Sequence, residues 1–212
     1  MFPDYSRPER LTDAAVHGLG VVAALAGAVA LLAAVIPSGG VRAVVGAAVY
    51  AAGLLATFGA SAAYNLTAAP GPKEIIRRCD HAAVFLMIAG TYTPFALAAI
   101  GGAAGAVPLA VMWVLALAGA AGKLLLPRRF ERAALLLYVA MGWIGLAALG
   151  WLVAAVSGAV VALLLAGGVL YTAGVVFHLW RSLPHHNALW HVFVLAGAGC
   201  HYAAVYAVLA GA

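Results

Sequence analysis

The chain has 212 residues, of which 67% are hydrophobic and only 8% are charged, with a mean hydropathy of +1.09 and a formal net charge of +5. A soluble domain of this length could not cover so much apolar surface with so few charges, so the solvent around most of the chain is lipid. The excess positive charge forms no basic patch interleaved with aromatic residues, which excludes nucleic acid as the expected partner.

Long apolar runs fill the chain between breaks at proline, glycine and charged residues. A run of about 20 apolar residues is long enough to cross the hydrocarbon core as a helix. A transmembrane β-barrel would need short strands of alternating apolar and polar residues, and VVAALAGAVALLAAVI shows no alternation. The predicted fold is all-α, a polytopic bundle of seven transmembrane helices in a single domain, 1–212. The predicted helices are at about 14–36, 43–64, 81–100, 106–126, 133–154, 158–180 and 188–210.

The basic residues lie almost entirely on one side of this predicted bundle. With the N-terminus in the cytoplasm, ten Lys and Arg residues fall on the cytoplasmic side and Arg42 alone falls on the other. Because cytoplasmic loops carry the excess of Lys and Arg, this pattern predicts a cytoplasmic N-terminus in a multi-pass protein of the cell membrane. The ten are Arg7, Arg10, Lys73, Arg77, Arg78, Lys123, Arg128, Arg129, Arg132 and Arg181.

The N-terminal segment MFPDYSRPER does not resemble a cleavable signal peptide. It carries Asp4 and Glu9, and the apolar run that follows is too long and lacks a clear cleavage site. We expect the first helix to be retained. The two cysteines, Cys79 and Cys200, have neither metal-binding nor disulfide spacing and are expected to be free thiols.

Polar side chains within the apolar runs gather at the predicted cytoplasmic ends of the helices. Such groups are costly in a bilayer, so they are candidates for a functional site. The pairs Asp13/His17, Ser61/Asn65 and Asn187/His191 each stand four residues apart, which places both side chains on one helix face. Seven-helix packing would bring these ends into one polar pocket. Its candidate members are Asp13, His17, Ser61, Tyr64, Asn65, Asp80, His81, His178, His185, His186, Asn187 and His191.

A simpler interpretation holds for some of the histidines. His178, His185 and His186 lie where a helix meets the headgroups and are readily solvated there, so we expect them to be ordinary interface residues. His201 lies ten residues beyond His191, about 15 Å deeper along the helix. We expect it to be neutral and hydrogen-bonded between helices. A proline kink is expected at Pro94.

Four stretches carry a family resemblance: ERLTDAAVHGLG, SAAYN, RRCDHAAVFLMIAGTYTPF and HHNALWHVFVLAGAGCHY. In this order they resemble the successive signatures of the hemolysin III family, within the progestin and adipoQ receptor superfamily, which also resembles the alkaline ceramidases. The resemblance covers essentially the whole chain. It implies a seven-helix membrane protein with a cytoplasmic N-terminus, as in a bacterial inner membrane, and a zinc site near the cytoplasmic face.

The family's zinc pattern is S-x3-H at the end of helix two, an Asp at the start of helix three and H-x3-H at the start of helix seven. The resemblance implies that the three histidines hold the metal and that the Asp contacts the metal-bound water. On this chain the pattern assigns Ser61 and Asp80 as catalytic candidates and His191 as a metal ligand, with Asn65 and Asn187 at the other two ligand positions.

The two asparagines weaken the expected zinc site, because an amide oxygen is a poor donor to zinc. His17, His186 and Asp80 are possible substitute ligands. Two explanations remain open for Asn65 and Asn187: a hydrogen-bonded polar core has replaced the metal site, or the chain is an altered version of a metal-binding parent.

Three functions follow from these observations. We favour a role in membrane lipid or bilayer homeostasis, with membrane lipids as the partners. The alternative is a zinc-dependent hydrolase of lipid amides, ceramidase-like, so whether the chain is an enzyme stays open. A cytolysin is the third, although no soluble form or charged amphipathic hairpin supports it. A retinal pump is excluded because the only lysines, Lys73 and Lys123, lie near loops.

Overall fold

The computed structural model describes residues 5–37, 39–126, 128 and 131–211, and nearly all of them are helical. A π-helical segment, Phe95–Ile100, follows the third α-helix, and a 3-10 segment, Ile144–Ala148, joins the fifth α-helix to the sixth. The α-helices are α1 Arg7–Val35, α2 Val41–Leu66, α3 Pro70–Pro94, α4 Gly102–Leu125, α5 Glu131–Trp143, α6 Leu149–Ala155, α7 Gly158–Leu179 and α8 His186–Ala210.

Six helices in the described ranges are long and apolar enough to cross a membrane: α1, α2, α3 with its π-helical extension, α4, α7 and α8. Many of their large apolar side chains point outward. Val29 is 67% exposed, Val107 is 63% exposed and Leu136 on α5 is 71% exposed. Exposed apolar surface on this scale is stable only against lipid. The protein is therefore an all-α, multi-pass membrane protein.

The predicted helix 133–154 is interrupted in the structure. It corresponds to α5, the 3-10 segment and α6, none of which is long enough to cross alone. The Tyr92 hydroxyl of α3 contacts this junction: it accepts from the Gly145 N–H at 2.9 Å and lies 2.9 Å from the Met141 carbonyl oxygen, to which it donates. Backbone groups released by the change of helix type are thus satisfied within the protein, as the bilayer requires.

The first helix begins at Arg7, earlier than the predicted 14. Ser6 and Glu9 form a capping box, in which the Ser6 Oγ accepts from the Glu9 N–H and the Glu9 carboxylate accepts from the Ser6 N–H at 2.9 Å. This reciprocal pairing satisfies donors at the helix start. The boundary prediction was wrong because the polar first turns of this helix lie outside the apolar run.

The third helix begins at Pro70 instead of the predicted 81, so most of the predicted polar linker 66–80 is helical. Proline is favoured at the first helical position. Glu74 also pairs with Arg77 at 2.9 Å, one turn away on the same face. Here too, the hydropathy marked only the apolar part of a longer helix.

The predicted kink at Pro94 takes the form of a change in helix type. The π-helical segment Phe95–Ile100 starts directly after this proline and ends at Gly101, which has a φ of +67°. Gly102 follows with a φ of +54° and begins α4. Only glycine adopts these left-handed conformations without steric cost, which allows an almost immediate reversal of the chain.

Two apolar cores hold the bundle together, and α3 contributes to both. The first joins α1, α2, α3, α7 and α8 around Leu31, Tyr50 and Val205, each at most 1% exposed. The second joins α3, α4 and α5 around Phe85, Ala116 and Met141. The helix α3 therefore connects the two cores.

The ends of several helices meet at one end of the bundle, which we call the polar end. There the Glu9 carboxylate of α1 accepts from the His185 N–H, directly before α8, at 3.1 Å. Lys123 of α4 and Arg77 of α3 both bind Glu131 at the start of α5. Arg42, at the start of α2, is adjacent to Gly101 and so lies at the end of the bundle opposite the polar end. Of the basic residues predicted on the cytoplasmic side, Arg129 lies outside the described residues.

Candidate functional site

Three potential metal ligands from α1 and α8 converge at the polar end. Asp13 Oδ1 lies 3.5 Å from His17 Nε2 and 3.4 Å from His191 Nδ1. The two imidazole rings are 4.2 Å apart between centroids. His17 and Asp13 are buried, and His191 is half-buried with its side chain 13% exposed. We call Asp13, His17 and His191 the Asp–His–His cluster. Their ligand atoms all lie within 4.8 Å of one another.

The positions of these residues on α1 and α8 explain why their side chains converge. Asp13 and His17 are one turn apart on α1, so both project from the same face. His191 stands one turn after Asn187 near the start of α8, and α8 packs directly against α1. The sequence spacing supplied each pair, and the packing of α1 on α8 brought the two pairs together.

Two asparagines connect this cluster to α2. The Asn187 Nδ2 donates to Asp13 Oδ1 at 3.0 Å and to Asn65 Oδ1 at 3.2 Å. The Asn65 Nδ2 in turn donates to the Ser61 carbonyl oxygen at 2.9 Å. We call Asn65 and Asn187 the asparagine bridge. It ties α1, α2 and α8 together and holds the Asp13 carboxylate from the side of α8.

The predicted catalytic candidates, Ser61 and Asp80, are both buried at 9% exposure and come from α2 and α3. The Asp80 carboxylate lies near the Ser61 hydroxyl and within electrostatic range of His17. Asp80 is not, however, among the side chains whose ligand atoms lie within 4.8 Å of one another. The structure therefore brings Ser61 and Asp80 close to each other, alongside the cluster and outside the set of grouped ligand atoms.

The other histidines have separate environments. His186 is buried, with its ring 5.8 Å from that of Tyr5, so the prediction of a solvated interface residue was wrong for this histidine. The His178 ring is near Trp190, at 5.2 Å between centroids. His201 hydrogen-bonds the Leu164 carbonyl oxygen at 3.2 Å, which confirms the predicted contact between helices. Burial, together with the nearby Asp13 charge, raises the pKa of Tyr5 to about 12, so this phenol is neutral near the site.

An ion-pair network with two buried cations lies at the same end, and it was not predicted from the sequence. Arg77 and Lys123 have side chains only 9% and 5% exposed, and Glu131 binds both, at 2.8 Å and 2.7 Å. Neither cation could be buried without such a partner. The signal that could have revealed the network is a single acidic residue, Glu131, near the end of the otherwise basic stretch KLLLPRRFER.

The fold and the buried cluster define a polytopic helical membrane protein with a polar site inside the bundle. The family described as Haemolysin-III related matches residues 6–202. The chain is 36% identical over 190 residues to Hemolysin-3 of Bacillus cereus, covering 90% of this chain and 87% of that protein. It is 34% identical over 194 residues to the Hemolysin-3 homolog of Bacillus subtilis (strain 168), covering 92% and 91%. The chain therefore belongs to the hemolysin III family, within the progestin and adipoQ receptor superfamily.

A more distant similarity extends to animals. The chain is 28% identical over 144 residues to the Monocyte to macrophage differentiation factor of Homo sapiens, covering 65% of this chain and 57% of that protein. This similarity spans only part of either protein.

The side chains at the three expected zinc positions do not suit the metal. Of these positions only His191 offers an imidazole. Asn65 and Asn187 are hydrogen-bonded to each other, with the Asn187 Nδ2 as donor and the Asn65 Oδ1 as acceptor. A ligand set with two such amides is poorly matched to zinc, which prefers imidazole, thiolate and carboxylate donors.

Proposed function

We propose that this hemolysin III-family protein acts in membrane lipid homeostasis, in the cell membrane, with its N-terminus in the cytoplasm. The observation that carries the proposal is the convergence of charged and amide side chains from α1, α2 and α8 inside an otherwise apolar bundle. Buried polar groups are expensive in a bilayer and are retained mainly where they serve a function.

The proposed orientation rests on the charges at the polar end. Arg77, Arg78, Lys123 and Arg128 all take part in ion pairs there, whereas Arg42 belongs to the start of α2. By the positive-inside rule the polar end faces the cytoplasm. We also propose that Glu131–Ala155 crosses the membrane as a seventh, interrupted span.

Membrane lipids are the partners that suit this location. The Asp–His–His cluster lies close to the helix ends, near the depth of the headgroups, and offers both hydrogen-bond donors and acceptors. His191 and Asn187 are only partly buried, so they are the members that a lipid's polar group would reach first. Ser61 and Asp80 would contact the same group from α2 and α3.

The test compares the lipid composition of membranes from three strains: one with the native chain, one lacking it and one carrying Asp80→Asn. We expect the deletion to change the lipid profile or membrane order, and the native chain but not Asp80→Asn to restore it. An unchanged profile after deletion would contradict the proposal. Restoration of the lipid profile by Asp80→Asn would show that the Asp80 carboxylate is not needed for the proposed function. Leu136→Ala, on the exposed face of α5, is the control expected to restore fully.

A lipid-amide hydrolase is the second candidate, favoured by the proximity of the buried Ser61 and Asp80 to each other and to His17, one of two neighbouring imidazoles. Purified protein in lipid vesicles would be assayed for fatty-acid release from ceramides and other lipid amides. We expect turnover that Asp80→Asn abolishes and Leu136→Ala retains. Absence of turnover with every lipid amide, in protein that is folded, would exclude this candidate and leave the homeostasis proposal standing.

A further inference from the structure

The Asp–His–His cluster has the composition and spacing of a metal site, and only His191 is shared with the three expected zinc positions. We propose that Asp13, His17 and His191 bind one zinc ion, and that the asparagine bridge orients Asp13 for this role. The inference goes beyond lipid homeostasis, because metal binding is measurable without any lipid substrate.

The distances fit a tetrahedral ion. Zinc bonds of about 2.0–2.1 Å to nitrogen or oxygen place neighbouring ligand atoms about 3.4 Å apart in a tetrahedron. Asp13 Oδ1 is 3.5 Å from His17 Nε2 and 3.4 Å from His191 Nδ1. Two edges of the required tetrahedron are therefore present in the arrangement of the side chains.

The two imidazole nitrogens have no other partner that explains their position. His17 Nε2 and His191 Nδ1 are both buried, and neither makes a hydrogen bond of acceptable geometry among the described residues. Without a cation, their polar neighbour in the cluster is Asp13 Oδ1, at 3.5 and 3.4 Å, which is longer than an ordinary hydrogen bond to a ring nitrogen. A cation between the three ligand atoms would satisfy both nitrogens and the carboxylate together.

The asparagine bridge supplies an outer hydrogen bond to the proposed carboxylate ligand. Ligating carboxylates are commonly held by an outer hydrogen bond that fixes their direction, and its loss costs about 10–100-fold in affinity. The Asn187 Nδ2 supplies such a bond to Asp13 Oδ1 at 3.0 Å. The two asparagines thus act as positioning residues beside the metal site, and their amides need not be ligands.

The donor set limits the candidate metals to zinc and iron(II). Two imidazoles and one carboxylate form the ligand set of known catalytic zinc sites, which keep one further position open. The same set also occurs in iron(II) proteins, where the geometry is octahedral. The two distances to Asp13 Oδ1 match the edges of a tetrahedron, so zinc is the metal proposed, and elemental analysis distinguishes it from iron.

The first experiment uses the full chain purified in detergent, with its affinity tag removed and without chelator. We expect about one zinc per chain by elemental analysis, and a higher melting temperature after a chelator-treated sample is reloaded with zinc alone. A chain that contains no zinc, and whose melting temperature zinc does not change, would overturn the proposal. Iron in place of zinc would overturn the choice of metal.

Variants then locate the ion. Asp13→Asn, His17→Gln and His191→Gln should each lower zinc affinity by about 100-fold or more, beyond the range seen for outer partners. Asn187→Ala should lower it by about 10–100-fold. His178→Gln, at the same end with its ring near Trp190, is the matched control and should bind normally. Normal affinity in His17→Gln would overturn the assignment.

A spectroscopic measurement on the native chain covers the case in which the variants fail to fold. Cobalt(II) added to the chelator-treated protein should give the strong visible absorption of a tetrahedral site, and zinc should displace it in proportion to its concentration. Only weak, octahedral-type absorption would contradict the proposed geometry, whatever the variants do.

Discussion

The Asn187 side-chain amide donates both of its hydrogens to other helices, one to the Asp13 carboxylate at 3.0 Å and one to the Asn65 amide oxygen at 3.2 Å. A single residue of α8 is thereby bonded to α1 and to α2. Because both bonds are partly buried and join different helices, this amide contributes to the stability of the polar end as well as to its geometry.

Replacing Asn187 with Ala should destabilise the protein. The Asp13 carboxylate and the Asn65 amide oxygen would each lose a donor, at a cost of about 1–3 kcal/mol. Thermal unfolding in detergent measures the change. Val192→Ala is the control on the same helix, since Val192 is 46% exposed to the lipid side and should have little effect. Equal melting temperatures for the two variants would show that the bridge contributes nothing to stability.

The network around Glu131 gives a second prediction. Glu131→Gln removes the carboxylate that pairs with the buried Lys123 and one of the two that pair with Arg77, which keeps Glu74 at 2.9 Å. Because the Glu131 side chain is 42% exposed, solvent offsets part of the loss, and we expect about 1–3 kcal/mol. Denaturation of detergent-solubilised protein checks it. Arg78→Gln is the comparison: Arg78 is 34% exposed and lies 3.6 Å from Glu74, so its loss should cost less than about 1 kcal/mol. A smaller effect for Glu131→Gln than for Arg78→Gln would contradict this account.

Close packing of α2 on α3 gives a third prediction. A Cβ at position 46 would lie 2.9 Å from the Pro94 Cα, and a backbone atom in the packed interior has little freedom to retreat. Gly46→Ala should therefore destabilise the bundle by about 1–3 kcal/mol, as overpacking does. Gly59→Ala is the matched control on the same helix, because nothing lies within 4 Å of its Cβ position. The measurement compares the thermal melting curves of the two variants. Indistinguishable curves would contradict the close packing of α2 on α3 at Gly46.

The proposed membrane topology is tested with reporter fusions. Seven crossings from a cytoplasmic N-terminus place the C-terminus outside, so a C-terminal alkaline phosphatase fusion should be active and a green fluorescent protein fusion should be dark. Fusions within the linker before α5 should behave in the opposite way. A fluorescent C-terminal fusion would instead indicate six crossings, with Glu131–Ala155 failing to span.

The amino-acid sequence was sufficient to predict an all-helical membrane protein, because the hydrophobicity of a 20-residue window reports directly on its solvent. It also predicted which faces carry polar pairs, such as Asp13/His17, since the helical repeat is local. It did not predict the true start of α3 at Pro70 or the interruption after α5. Helix starts depend on capping and ion pairs outside the apolar run, and the interruption coincides with the Tyr92 contacts at Gly145.

The composition of the candidate site was decided by tertiary structure. Sequence spacing and family resemblance directed attention to Asn65, Asn187 and His191, whereas the atoms that meet at metal-ligand spacing belong to Asp13, His17 and His191. Asp13 and Asn187 are 174 positions apart in the chain, and no local pattern relates them. Their contact arises only because α1 packs on α8, and that packing depends on how the side-chain surfaces of the two whole helices fit together.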